Sequence, residues 1–166
     1  MTAVKPEMTL FDRPLLDALP VQHLCDASID LEPAHVIPTA LGTRLTFIQK
    51  RGRLDGARLR GDLLPGGGDW ASLGSDGINR LDIRATIRTD DGVLIHFEAR
   101  GVSKLPTDGR QRLAGGARLP FDETYVRTMP RFETADPRYA WLSALVIVGY
   151  NELSQNRVDF RLYQVL

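Results

Sequence analysis

Apolar and polar residues alternate along most of this chain with the period of two that marks β-strands. Residues 79–89 show it most clearly: Leu81, Ile83, Ala85 and Ile87 share one face, and Asp82, Arg84, Thr86 and Arg88 the other. Residues 93–102 answer it, with Val93, Ile95, Phe97 and Ala99 against Leu94, His96, Glu98 and Arg100. Asp90-Asp91-Gly92 between the two runs is a hairpin signal. Further strand-like runs cover residues 23–32, 43–50, 57–64, 121–129, 141–150 and 157–166. The run at 141–150 is almost wholly apolar and reads as a strand buried on both faces. Pro33 and Pro38 bracket a loop, Arg51-Gly52 marks a turn or bulge, and residues 104–119 and 130–139 read as irregular.

About eight strands, hairpin-length connections and no long amphipathic helix predict an all-β fold with sequential antiparallel pairing. Closing the sheet removes its exposed edges. A sandwich needs apolar inner faces on both sheets, whereas one face here is crowded with Arg, Asp, Glu and His. The expectation is a single-domain antiparallel up-and-down β-barrel over residues 21–166. Residues 1–20 form a tail, with a short helix or turn at 8–19 whose Leu10, Phe11, Leu15, Leu16 and Leu19 make an apolar face.

The 166 residues carry 21 Lys plus Arg and 21 Asp plus Glu, a formal charge of zero. That balance argues against nucleic acid as a partner and against a polybasic membrane surface. No stretch reaches the ~20 apolar residues that span a bilayer, and no secretory leader is visible. Cys25 is the only cysteine, so no intrachain disulfide forms. These features together set the expectation of a cytoplasmic protein. His23, His35 and His96 have no metal-ligand spacing. The chain has no Gly-x-Ser-x-Gly elbow. The Gly66–Gly68 run lacks the Lys-Ser/Thr pair and the helix of a phosphate loop. No metal or cofactor is expected.

The chemistry concentrates in residues 61–88, where Pro65, three glycines and Asp69-Trp70 separate two alternating runs. Acid and base on the second face of a strand mean either a wet surface or a polar cavity. A tight hairpin at 90–92 sets His96 and Glu98 beside Asp82 and Arg84, with cross-strand neighbours about 5 Å apart. A carboxylate paired with arginine stays ionised, and one desolvated without a partner rises towards neutral pH. The two environments together are what acid–base chemistry requires.

Four words in order, PGGGDW (65–70), LDIRATIRTDDGVLIHFEARG (81–101), RTMPRFET (127–134) and YAWL (139–142), resemble the family called domain of unknown function 3237, or UPF0311. The likeness runs from about residue 42 to the C-terminus. Arg51-Gly52 stands where the family has a Gly-Gly pair, and Ser143 where it often has Asn. The resemblance implies an antiparallel barrel and, for a few relatives, isomerase or cyclase action on aromatic or polyketide-like molecules. It brings Asp69, Trp70, Asp82, Arg84, Arg127, Glu133, Tyr139 and Trp141 into play. In the catalytic reading Asp82 or Glu133 is the acid or base. Arg84 or Arg127 steadies an oxyanion, and Trp70 and Tyr139 position a ring. Asp69, His96, Glu98 and Trp141 complete the substrate contacts.

The function expected is therefore binding of an aromatic or carbonyl-bearing metabolite, with cofactor-independent isomerase, cyclase or lyase chemistry. A carrier barrel without turnover and a homo-oligomerisation module are the competing readings.

Overall fold

The computed structural model describes residues 16–166, and these close into an eight-stave antiparallel β-barrel. The predicted helix or turn at 8–19 lies largely outside the described residues. Ten strands follow in order: β1 (Val21–Leu31), β2 (His35–Thr39), β3 (Gly42–Asp55), β4 (Gly61–Leu63), β5 (Gly68–Leu73), β6 (Asn79–Thr89), β7 (Leu94–Lys104), β8 (Tyr125–Glu133), β9 (Ile147–Ser154) and β10 (Arg157–Val165). A short helix, α1 (Gly109–Ala114), lies between β7 and β8. A 3-10 turn, Ala140–Ala144, lies between β8 and β9.

The ring runs β1-β10-β9-β8-β7-β6-β4-β3, and β3 pairs back onto β1 to close it. β4 and β5 both lie between β3 and β6, so they are two halves of one stave. β2 pairs only with β3 and forms a flap outside the ring. Following the registers round from Asn79 leads back to β6 at Thr89, ten residues further along. That stagger tilts the strands, and an eight-stave ring encloses space for packed side chains or one small ligand.

The lumen is apolar. Leu81, Ile83, Ala85 and Ile87 of β6 meet Ile95, Phe97 and Ala99 of β7, Phe132 of β8 and Phe160 and Leu162 of β10 in one cluster. Phe97 and Phe132 pack edge to face with centroids 5.2 Å apart. Burial of each such side chain stabilises the fold by about 1.5–3 kcal/mol. One end of the barrel is closed: Leu54, Ile87, Ile95, Phe132 and Leu142 are at most 1% exposed. The 3-10 turn covers this end. Arg138 ties it to the β6–β7 hairpin through Asp91, at 2.8 Å, and Tyr139 donates to the same carboxylate at 3.0 Å. At the other end Leu31, Leu45, Phe47, Leu153 and Val158 face inward but are only partly buried. This is the open end.

Several elements differ from the sequence reading. Residues 141–150 are not one doubly buried strand: they split into the 3-10 turn and the start of β9, with Val146 68% exposed between them. The loop expected between Pro33 and Pro38 contains β2. Arg51-Gly52 lies inside β3 in regular register with Asp30 and Ile29, and the bulge against β1 falls just before it, at Lys50 between Arg51 and Gln49. Of the strand expected at 57–64 only β4 remains, and the glycine loop continues directly into β5. β8 runs on through Pro130 to Glu133. It pairs with β9 only at Arg127 and Thr128, and the lost ladder beyond makes room for a residue without an N–H. The stretch read as irregular at 104–119 carries α1, and Leu119 forms an antiparallel bridge beside Leu153 of β9. Among the described residues no helix is long and apolar enough to cross a membrane.

Candidate functional site

The break between β4 and β5 sets one carboxylate on the inner wall. Gln49 holds the break: its Nε2 donates to Leu64 O at 2.6 Å and its backbone N–H to Gly67 O at 2.9 Å. Gly67 and Gly68 are needed because the chain passes close to both neighbours. A Cβ at Gly67 would lie 2.7 Å from Arg84 O, and one at Gly68 2.4 Å from Phe47 O. The next residue, Asp69, pairs in register with Phe47 and Ile83 and shares their inward face. Its Oδ1 accepts the backbone N–H of Asp82 at 2.8 Å. Burial pushes its pKa up to about 6, and the negative charge of Asp82 adds to the rise, while that hydrogen bond opposes it. No ion pair engages Asp69 among the described residues.

The stave holding Asp69 and strand β9 are four places apart in a ring of eight, so they face each other across the lumen. Thr128 of β8 and Asn151 of β9 lie on that opposite wall, 2% and 1% exposed. Both side-chain oxygens approach the same point above Gly149: a Cβ there would be 2.2 Å from Thr128 Oγ1 and 3.4 Å from Asn151 Oδ1. Asn79 and Ser103 are cross-strand neighbours at the open rim. Asn79 Oδ1, Thr128 Oγ1 and Asn151 Oδ1 are buried without a hydrogen-bond partner, and each such atom costs roughly 1–3 kcal/mol. One carboxylate of raised pKa, a set of unpaired acceptors and an apolar rim with Phe47 thus share one end of the barrel. The arrangement suits a small, largely apolar molecule carrying a few polar groups.

The other anticipated residues lie elsewhere. The catalytic reading of Asp82 and Arg84 required the polar face of β6 to line a cavity, and the structure corrects this: it is the wet surface, and both are on the outer face of β6. Arg84 reaches Asp82 at 3.2 Å and Arg100 reaches it at 3.5 Å, with the arginines 48% and 68% exposed. The alternation was read correctly, but a narrow lumen takes the branched apolar half of it and sends the charges out. His96 and Glu98 occupy the same outer face of β7, with Arg131 3.9 Å from Glu98. Glu133 is exposed at the end of β8, opposite His96 in register. Trp70 is 39% exposed on the outside of β5. Tyr139 belongs to the cap at the closed end, and so does Trp141, whose Nε1 donates to Arg138 O at 3.0 Å beneath the Arg58 guanidinium, 3.7 Å from the ring. Arg127 stands on the outer face of β8, over Tyr150. Of the anticipated set, Asp69 alone lies on the inner wall at the open end. Asn79, Ser103, Thr128 and Asn151 escaped the sequence reading. Their signal was a polar residue on the apolar half of an alternating strand.

The sequence pattern of the family described as protein of unknown function (DUF3237) matches residues 19–165. A UPF0311 protein of Rhodopseudomonas palustris is 31% identical over 115 residues, 69% of this chain and 75% of that protein. A UPF0311 protein of Clostridium acetobutylicum is 31% identical over 114 residues, 69% and 72% of the two chains. The crystal structure of a Rhodopseudomonas palustris protein of unknown function superposes with a TM-score of 0.84 at 26% identity, covering 91% of this chain and all of that one. A β-barrel-like protein from Acinetobacter baumannii gives 0.73 at 28% identity, over 92% and 100%. A Penicillium herquei protein described as an enzyme shares the fold, with a TM-score of 0.66 at 18% identity over 93% and 98%. With the barrel, its register and most of its length accounted for, this chain belongs to the DUF3237 (UPF0311) family.

Proposed function

We propose that the open end of the barrel takes a small aromatic or carbonyl-bearing molecule and that Asp69 exchanges a proton with it. The reading rests on Asp69: a carboxylate on the inner wall, desolvated, without a cation beside it, its pKa raised to about 6. Such a group is ionised at neutral pH yet basic enough to take a proton. In a step of this kind the C–H bond next to a carbonyl breaks, its electron pair forms the enolate, and the proton moves to Asp69. Return of the proton to another carbon completes an isomerisation; in a cyclisation the enolate carbon attacks a second carbonyl carbon of the same molecule, that C=O electron pair moves to its oxygen, and the oxygen takes the proton from Asp69. Phe47 and the apolar rim hold the ring, and the unpaired oxygens on Asn79, Thr128 and Asn151 meet its hydroxyl or amine donors.

The test uses 1-tetralone, an enolisable aromatic ketone, in deuterated buffer. Proton NMR follows exchange at the carbon beside the carbonyl. The wild type is expected to accelerate exchange, and Asp69→Asn to lose about 10²-fold or more of that acceleration. Equal rates in the two proteins would remove Asp69 from the chemistry. A carrier barrel without turnover is the second reading, favoured by the hydrogen bond that already occupies one Asp69 oxygen. It expects 1-tetralone to raise the melting temperature equally in wild type and Asp69→Asn, with no exchange in either.

A further inference from the structure

The outer surface of the barrel carries a further cavity. A groove of about 1040 Å³ crosses the outward face of β7 to β10, with Leu19 and Val21 along one side and Phe121 along another. No Asp or Glu side chain lines it, and two arginines do, Arg127 and Arg161. Arg161 is already neutralised by a bidentate pair with Asp26, at 3.0 and 2.9 Å. Arg127 is not. Among the described residues it makes no ion pair, and its one hydrogen bond runs from Nη1 to Val126 O at 3.0 Å. Its guanidinium is held between two phenol rings, 3.8 Å from the centroid of Tyr150 and 4.8 Å from that of Tyr125. Tyr163 packs edge-on against Tyr150, 6.3 Å between centroids.

This is not the usual surface arginine, whose freedom is lost only when it binds. The stack fixes the plane and direction of the fork in advance, which lowers the ordering cost of engaging a ligand. The remaining N–H donors match the two oxygens of a carboxylate. The walls are aromatic and aliphatic, and they suit a flat ring rather than a sugar or a free phosphate. We propose that this groove binds a planar aromatic carboxylate, its carboxylate on Arg127 and its ring against Tyr163 and Phe121. Arg127 and Thr128 are consecutive on β8: the Arg127 side chain stands outside the wall and the buried Thr128 Oγ1 belongs to the inner side, while Thr128 also lines the floor of the groove.

The experiment titrates the full-length protein with 2-naphthoate and with its neutral counterpart 2-naphthamide, by isothermal calorimetry. Naphthoate is expected to bind at least about tenfold tighter, as a charge-assisted pair predicts. Arg127→Lys keeps the charge and loses the fork, and Tyr150→Leu loosens the stack. Each is expected to abolish most of the difference, with the melting curve checking the fold. Asp69→Asn is expected to bind naphthoate as the wild type does, which separates this site from the lumen. No saturation below about 1 mM, equal affinity for the two probes, or wild-type affinity in Arg127→Lys would each overturn the proposal. So would light scattering that shows a dimer in which naphthoate no longer binds, since the groove would then be a contact between two copies of the chain.

Discussion

Asp69 Oδ1 takes the backbone N–H of Asp82 at 2.8 Å, where the β5–β6 ladder skips from the Asp69–Ile83 pair to the Ser72–Arg80 pair. A side chain thus replaces a rung of the sheet. It also brings the inner carboxylate close to the outer one, which is why the charge of Asp82 helps to raise the pKa of Asp69.

The raised pKa gives a stability profile with a definite sign. Asp69 moves from 3.8 to about 6 on folding. Between these values the folded state holds a proton that the unfolded state has lost. The group therefore favours folding at the acid end, and its contribution is lost as pH rises through about 6. Asp69→Asn keeps an acceptor for the Asp82 N–H and removes the buried charge. It should be more stable than wild type by about 1–3 kcal/mol at about pH 8, with the difference gone near pH 4. Urea unfolding at the two pH values measures it, and a variant less stable at the alkaline end would contradict the assigned burial.

Asp82 should prove less important than its place in the sequence suggests. Its partners Arg84 and Arg100 are well exposed, and pairs of that kind contribute about 0–1 kcal/mol. Asp82→Asn should fold normally and bind ligand at the open end. It should also lower the pKa of Asp69, read from its carboxylate carbon shift by NMR. Loss of folding would show that the outer ladder carries more than its exposure implies.

The glycines at the stave break are predicted to differ in tolerance. Gly68→Ala drives a methyl to 2.4 Å from Phe47 O, whereas a Cβ at Gly66 meets nothing within 4 Å and suffers only from its φ of 97°. Thermal melts should place Gly68→Ala furthest below wild type, by about 3 kcal/mol or more since backbone must shift, and Gly66→Ala about 1–2 kcal/mol below it from the strain of its φ alone. A reversed order would mean that β5 does not press against β3 as described.

Cys25 is fully buried, and burial first, then the charges of Asp26 and Asp55, push its thiol up to about 12. A thiol so placed is inert. In the native protein it should resist a thiol-reactive dye such as Ellman's reagent and react at once in denaturant. Rapid native labelling would show that β1 opens.

The alternating pattern was enough to establish a barrel. Period-two alternation with hairpin spacing leaves few ways to pair eight staves, and Leu81 to Ile87 with Val93 to Ala99 already defined two neighbouring inner faces. Pattern alone does not say which face of a strand is inside. That choice follows from lumen width, a property of the closed ring, and it sent Asp82, Arg84, His96 and Glu98 out while keeping Asp69 in. The doubly apolar look of residues 141–150 was misleading for a related reason: a turn that caps the closed end must also be apolar, and period is lost where the chain leaves the sheet. Thr128 and Asn151 are remote in sequence from Asp69, and only the order of staves sets them opposite it. Local chemistry determined the strands and the break at the glycines. Closure and stagger, which depend on the whole chain at once, decided which polar groups are enclosed together.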